Sequence, residues 1–141
     1  MAAIRVQEWE TEAFWARRID LYLSGEHSPR QALPARAAFV ALEETNLVGF
    51  VAGHRTRRLG CDGELQWMNV ARESRGQGIA GGLMVKIGEW FAAQHLSRVC
   101  VNVAPENGAA RRLYTRHGAQ PLDEHWMIWE DPRAMCARAG A

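Results

Sequence analysis

Four glycines, Gly76, Gly78, Gly81 and Gly82, fall within seven residues at the head of a strongly amphipathic run. Ile79, Leu83, Met84, Ile87, Trp90 and Phe91 recur at helical spacing, which predicts a helix opening inside the glycine cluster. Glycine in a first helical turn costs about 1 kcal/mol relative to alanine, so such a start needs a reason, and close approach of a ligand to the backbone supplies one. Free N–H groups at a helix N-terminus, backed by the positive end of the helix dipole, bind an anion without any lysine. A pyrophosphate is the natural occupant. The formal charge is only +1, from 17 Lys and Arg against 16 Asp and Glu, so no global field recruits nucleic acid or an anionic membrane. Any anion must be gripped locally.

The rest of the chain frames this segment. At 141 residues, 48% apolar and 23% charged, it has the length and balance of one folded domain with one core, expected over residues 1–141 with about 131–141 as a frayed tail. Ala3 to Trp9 alternate weakly as a first strand, and a helix runs from Thr11, as N-cap, to near Gly25. Ser24 to Pro34, with two prolines and a glycine, reads as a loop or a broken short helix. Ala37 to Leu42 and Leu47 to His54 flank the polar Glu43–Asn46 and predict a hairpin. A third β run, Glu64 to Val70, carries its apolar residues at Leu65, Met68 and Val70; the period of two breaks between 65 and 68, as an extra residue in a β-bulge would make it. A short buried strand follows at Arg98 to Val103, then a helix from Asn107 to about His117 closed by Gly118 as a C′ glycine. Trp126 to Trp129 supplies a last β run, and Asp131 to Ala141 reads as a frayed terminal helix capped by Asp131, with Pro132 at its first position.

Gly76-Gln77-Gly78-Ile79-Ala80-Gly81 satisfies G-x-G-x-x-G, the dinucleotide fingerprint of βαβ units. Its context fails that reading. Five residues, Ala71 to Arg75, separate the strand from the first glycine, and Val101 and Asn102 stand where an acid should meet the ribose. A bare glycine-rich turn without a ligand leaves four glycines ahead of a strong helix unexplained. Arg75-Gly76-Gln77-Gly78-Ile79-Ala80 does match the [QR]-x-x-G-x-[GA] segment of the GCN5-related N-acetyltransferases, and Glu64 to Val70 lies where that family has its bulged central strand. A second motif agrees: Asn107, Ala110, Tyr114 and Gly118 fit the family's N-x-x-A-x-x-x-Y-x-x-x-G pattern. The two motifs span about Glu64 to Ala119, and the chain resembles that family; Ala119 departs from the usual phenylalanine after the glycine.

The resemblance implies an α/β fold with a mixed, mainly antiparallel central sheet flanked by helices, and a cofactor wedged where the two central strands splay. It implies transfer of an acetyl group from acetyl-CoA to an amino group of a small molecule or peptide by direct attack in a ternary complex. Amine attack on a thioester needs an unprotonated nucleophile, stabilisation of the developing oxyanion and protonation of the leaving thiolate. On this resemblance, backbone groups freed at the bulge near Met68, Asn69 and Val70 bind the pantetheine arm and thioester carbonyl. The N–H groups of Arg75, Gly76, Gln77, Gly78, Ile79, Ala80 and Gly81 hold the pyrophosphate. Tyr114 is the expected acid toward the sulfur, with a core tyrosine as its alternative role. Asn107 contacts the cofactor or caps its helix, with Ala110 one turn before Tyr114. Glu64 occupies the place of the catalytic glutamate of the histone-acetylating branch and is the candidate base; a merely solvated acid at a strand edge is the alternative. His54 and His125 are weaker candidates. Arg111, Arg112 and Arg116 on the second helix, and Arg55, Arg57 and Arg58 in an expected loop, read as solvated charge.

Two alternatives stay open: an aminoglycoside-type acetyltransferase, and a CoA-binding regulatory module without turnover. No metal, nucleic-acid or membrane partner is expected, and homodimerisation is common in the family. Cys61, Cys100 and Cys136 are odd in number and have no C-x-x-C pair, which fits a reducing compartment rather than a disulfide or zinc framework. The first 15 residues carry charges throughout and lack a signal-peptide apolar run, so a cytoplasmic location is expected.

Overall fold

A computed structural model describes residues 4–5, 12–26, 28–29 and 32–136. The elements are β1 (Ile4–Arg5), α1 (Glu12–Ser24), β2 (Leu33–Glu43), β3 (Asn46–Arg55), β4 (Gly63–Val70), α2 (Ile79–Ala93), β5 (Val99–Asn102), α3 (Gly108–Arg116), β6 (Gln120–Pro121) and β7 (Trp126–Trp129). Short 3₁₀ turns precede β4 at Arg58–Gly60, precede α2 at Arg72–Ser74 and follow β7 at Pro132–Cys136. The sheet runs in the order β2-β3-β4-β5-β7-β6, with β1 paired to β4 off that path. All pairs are antiparallel except β4–β5 and β1–β4, so the sheet is mixed and mainly antiparallel, as expected.

The hairpin is longer than its apolar runs suggested, because β2 and β3 continue to a turn at Glu44 and Thr45, with Glu44 left-handed at φ 58°. The bulge lies where the broken alternation put it. Ala52 pairs with Trp67 but Gly53 with Leu65, leaving Gln66 as the extra residue of β4. Because of that shift, Glu64 and Trp67 share one face of the sheet while Leu65 and Met68 share the other.

The two faces bury different partners. Leu65, Met68, Val70, Val99 and Val101 meet Leu83, Met84, Ile87 and Phe91 of α2, together with Leu113 and Tyr114 of α3. Phe91 lies so close to the sheet that a Cβ at Gly53 would stand 2.7 Å from its Cζ, which is why β3 has no side chain there. On the opposite face Ile19 and Tyr22 of α1 pack on Phe50, Ala52 and Trp67. Each fully buried large apolar side chain contributes about 1.5–3 kcal/mol, so the α2–α3 side holds most of the stability.

Of the strand expected at Ala3–Trp9 only Ile4–Arg5 is among the described residues, and the Thr11 cap lies outside them. The segment after Trp129 differs from a frayed helix. Asp131 Oδ1 accepts from Arg133 N at 2.9 Å, and Pro132 and Met135 are buried, so residues 132–136 form a docked 3₁₀ turn. That turn sits against Gly88 of α2, where a Cβ would stand 2.7 Å from Met135 Cβ. Residues 137–141 lie outside the described residues.

Candidate active site

At the head of α2 the backbone is shaped by two left-handed glycines, Gly76 at φ 79° and Gly78 at φ 81°. Residues with a Cβ pay about 1–2 kcal/mol in that region, and a Cβ at either position would meet nothing within 4 Å, so conformation rather than crowding demands glycine. Gly78 serves as N-cap without a side-chain acceptor, and the first helical bond runs from Gly82 N to Gly78 O at 3.0 Å. The N–H groups of Ile79, Ala80 and Gly81 therefore stand at the open, positive end of the helix with no acidic side chain in its first turn. Arg75 turns back, its Nε donating to Val70 O at 3.2 Å, and so ties the loop to the end of β4. Gly76, Gln77 and Gly78 are exposed. Backbone N–H groups at such a helix N-terminus can cradle a compact anion.

The strand that feeds the cradle parts from its neighbour. β4 and β5 pair only at Gly63–Val99, Glu64–Cys100 and Leu65–Val101, and beyond Leu65 they diverge. Met68, Asn69 and Val70 remain paired to β3 on their other edge, so beyond Leu65 only the edge facing β5 is released. Ile4 and Arg5 pair there in parallel with Met68 and Asn69. Asn69 is 1% exposed, and among the described residues neither its Oδ1 nor its Nδ2 has a hydrogen-bond partner.

On α3, Asn107 is a helix cap: its Oδ1 accepts from Ala110 N at 3.1 Å. Ala110 is fully buried and lets the helix sit close to the core. Tyr114 is also fully buried, edge-on to Trp129 with ring centroids 5.6 Å apart. Burial alone pushes its phenol well above the ordinary range, so it holds its proton. Gly118 follows at φ 97°, the left-handed C′ residue expected from its spacing.

Glu64 is not a solvated strand-edge acid. It is 5% exposed, and its Oε1 accepts from His54 Nε2 at 3.3 Å and from Arg58 Nε at 3.2 Å. His54, fully buried on β3, meets the Tyr22 hydroxyl of α1 with its Nδ1 at 2.7 Å. Arg58, read from the sequence as solvated loop charge, instead turns inward and lies 5.1 Å over the Trp126 ring. Tyr22 and Arg58 were invisible in the sequence because neither belongs to a motif; the 3₁₀ turn after β3 brings one in and the packing of α1 the other. His125 is exposed and stays apart from this cluster. Arg111 donates to Glu124 O and so braces the loop between β6 and β7. Cys61 and Cys100, distant in sequence, pack together beside Ile128, and among the described residues no group of three or more His, Cys, Asp or Glu could hold a metal ion.

The chain matches the profile of the "Acetyltransferase (GNAT) family" over residues 3–119. Among curated proteins no significant match is found. Among solved structures, PaiA N-acetyltransferase from Thermoplasma acidophilum, in complex with coenzyme A, is similar with a TM-score of 0.62 at 14% identity, over 86% of this chain and 80% of that one. Nourseothricin acetyltransferase is similar with a TM-score of 0.61 at 22% identity, over 70% and 67% of the two chains. An acetyltransferase of the GNAT family from Staphylococcus aureus Mu50 gives 0.57 at 17% identity, over 67% of this chain and 66% of that one. At these identities the likeness is one of fold.

Proposed function

Because this chain belongs to the GNAT acetyltransferase family, we propose that it moves an acetyl group from acetyl-CoA to an amino group of a small molecule or peptide, by direct attack in a ternary complex. The observation that carries this reading is the left-handed Gly76–Gly78 loop at the head of α2, joined by one 3₁₀ turn to a central strand that parts from its neighbour. Acetyl-CoA supplies an activated acyl group on a good thiolate leaving group.

The residues present fit that donor. The N–H groups of Ile79, Ala80 and Gly81 and the helix dipole hold the pyrophosphate, while Gly76 and Gly78 let it approach the backbone. The backbone of Met68, Asn69 and Val70, on the edge that β5 leaves beyond Leu65, would hold the pantetheine arm. The unpartnered amide of Asn69 gives the cleft a polar group that needs a ligand. Tyr114 carries a proton toward the sulfur, Glu64 takes one from the acceptor, and Asn107 and Ala110 set the helix that positions Tyr114. Among the described residues no helix is long and apolar enough to cross a membrane. The three free thiols suit the reducing cytoplasm proposed as its location.

The test is thiol release from acetyl-CoA across a panel of amines: amino acids, polyamines, aminoglycosides, streptothricins and a lysine peptide. Release with at least one amine supports the reading. Thermal stabilisation by CoA with no release from any amine points to a binding module instead.

A further inference from the structure

Resting on the reading of Glu64 as base, we propose that His54 and Tyr22 are positioning residues for it, holding the carboxylate so that Oε2 is the atom that takes the acceptor's proton. Both donors on Glu64, His54 Nε2 and Arg58 Nε, converge on Oε1. No donor among the described residues occupies Oε2. A carboxylate oxygen that already accepts two charged or strongly polar donors is poor at taking a further proton; the oxygen left open is the one that can.

The chemistry of the partners sets the direction of each hydrogen bond. Arg58 can only donate, and an ionised carboxylate can only accept, so Nε2 of His54 carries a proton; in the neutral ring this leaves a lone pair on Nδ1. The Tyr22 hydroxyl then donates to Nδ1, and burial keeps that phenol protonated. The bond from Tyr22 fixes the ring plane across the sheet face, and the ring fixes Oε1. This is the arrangement by which an outer partner orients an inner ligand. The other charged or titratable groups beside these three residues are Arg36, whose guanidinium lies 5.1 Å over the Tyr22 ring and donates to Tyr22 O at 2.8 Å, and Cys100, opposite Glu64 on β5. Neither touches Oε2.

The proton step balances without net movement from Tyr22 to Glu64. The acceptor's ammonium N–H bond breaks, its electron pair stays on nitrogen as the nucleophile, and an O–H bond forms at Glu64 Oε2. The protons on His54 Nε2 and Tyr22 remain where they are, and the carboxyl later returns its proton to solvent.

Two measurements test this. Side-chain ¹⁵N NMR of the full chain without substrate should show His54 with a proton on Nε2 and none on Nδ1; a proton on Nδ1, with or without one on Nε2, overturns the proposal. A double-mutant cycle on turnover, using acetyl-CoA and an amine found active in the panel, separates positioning from general structure. Tyr22→Phe should lower kcat about tenfold with the KM for acetyl-CoA unchanged. In a Glu64→Gln background the same change should stay within about twofold, because its target is gone. An equal loss in both backgrounds, or none in either, overturns the proposal. If Glu64→Gln itself leaves kcat unaltered, the reading of Glu64 as base fails as well. The NMR result separates that failure from a wrong hydrogen-bond assignment.

Discussion

Glu64 and Tyr114 stand on opposite faces of one sheet: Glu64 is linked through His54 to Tyr22 of α1, whereas Tyr114 lies among the side chains that α2 and α3 bury. Beyond Leu65 and Val101 the pairing of the two central strands ends. On the proposed reading an acid and a base so separated act on different partners. Tyr114→Phe keeps the ring against Trp129 and removes only the hydroxyl, so kcat should fall about 10²-fold or more while the affinity for acetyl-CoA, measured by calorimetry, stays the same. Unchanged turnover removes Tyr114 as the acid.

Glu64→Gln should act on the pH profile. A carboxylate takes a proton from the acceptor and an amide cannot, so the acidic limb of the kcat profile should flatten. A profile identical to that of the parent chain refutes the assignment. The substitution also leaves Arg58 without its ionised partner, so a lower thermal midpoint is expected beside the kinetic effect.

Gly78→Ala forces a Cβ into a left-handed backbone at φ 81° and should cost about 1 kcal/mol in stability by denaturant titration. Gly25 offers a control, since it is left-handed at φ 88° and an added Cβ would meet nothing within 4 Å. Gly25→Ala should lose similar stability and leave CoA binding alone; Gly78→Ala should weaken both. Equal CoA affinity in the two variants argues against the cradle.

Alkaline unfolding should be sharp. Both tyrosines of the chain, Tyr22 and Tyr114, are fully buried, and burial raises each phenol above its ordinary value near 10. The folded state therefore binds these two protons more tightly than the unfolded chain does. The stability they contribute is intact below pH 10 and declines as pH climbs beyond it. Tyrosinate absorbance should appear together with loss of secondary structure, not before; an earlier rise would mean that a phenol is open to solvent.

Thiol reactivity should divide the cysteines. Cys136 is partly exposed, whereas Cys61 and Cys100 are buried against each other and Ile128. Burial raises the Cys136 thiol; the hydrogen bond between Cys61 and Cys100, with burial, raises that of Cys100, while the same bond lowers that of Cys61. Access then sets the order: Cys136 reacts first by exposure, and buried Cys61 ahead of Cys100. Peptide mapping after partial alkylation gives the order.

Features governed by local chemistry were legible in the sequence. The glycine cluster and the apolar stripe of α2, the cap at Asn107, the C′ glycine Gly118 and the broken alternation at Gln66 are all set within a few residues, and the structure has each in its place. What depends on distant packing was not. Arg58 looks like loop charge until the 3₁₀ turn after β3 delivers it onto Glu64 and Trp126. Tyr22 looks like one apolar position of α1 until its hydroxyl is found on His54. The pairing of Cys61 with Cys100 and the docking of residues 132–136 likewise need the folded sheet to exist first.

His117 joins three parts of the molecule: its carbonyl accepts the Trp129 indole N–H at 2.9 Å, its ring Nδ1 meets Met135 O at 3.0 Å, and it caps the helix that carries Tyr114. Met135 in turn rests on Gly88, in the helix that opens at the left-handed Gly78. The terminal turn thus clasps the helix of Tyr114 to the helix headed by the glycine cluster. A chain shortened at Glu130 would retain every motif residue and the whole span that matches the family, yet lose the fastening between those two helices.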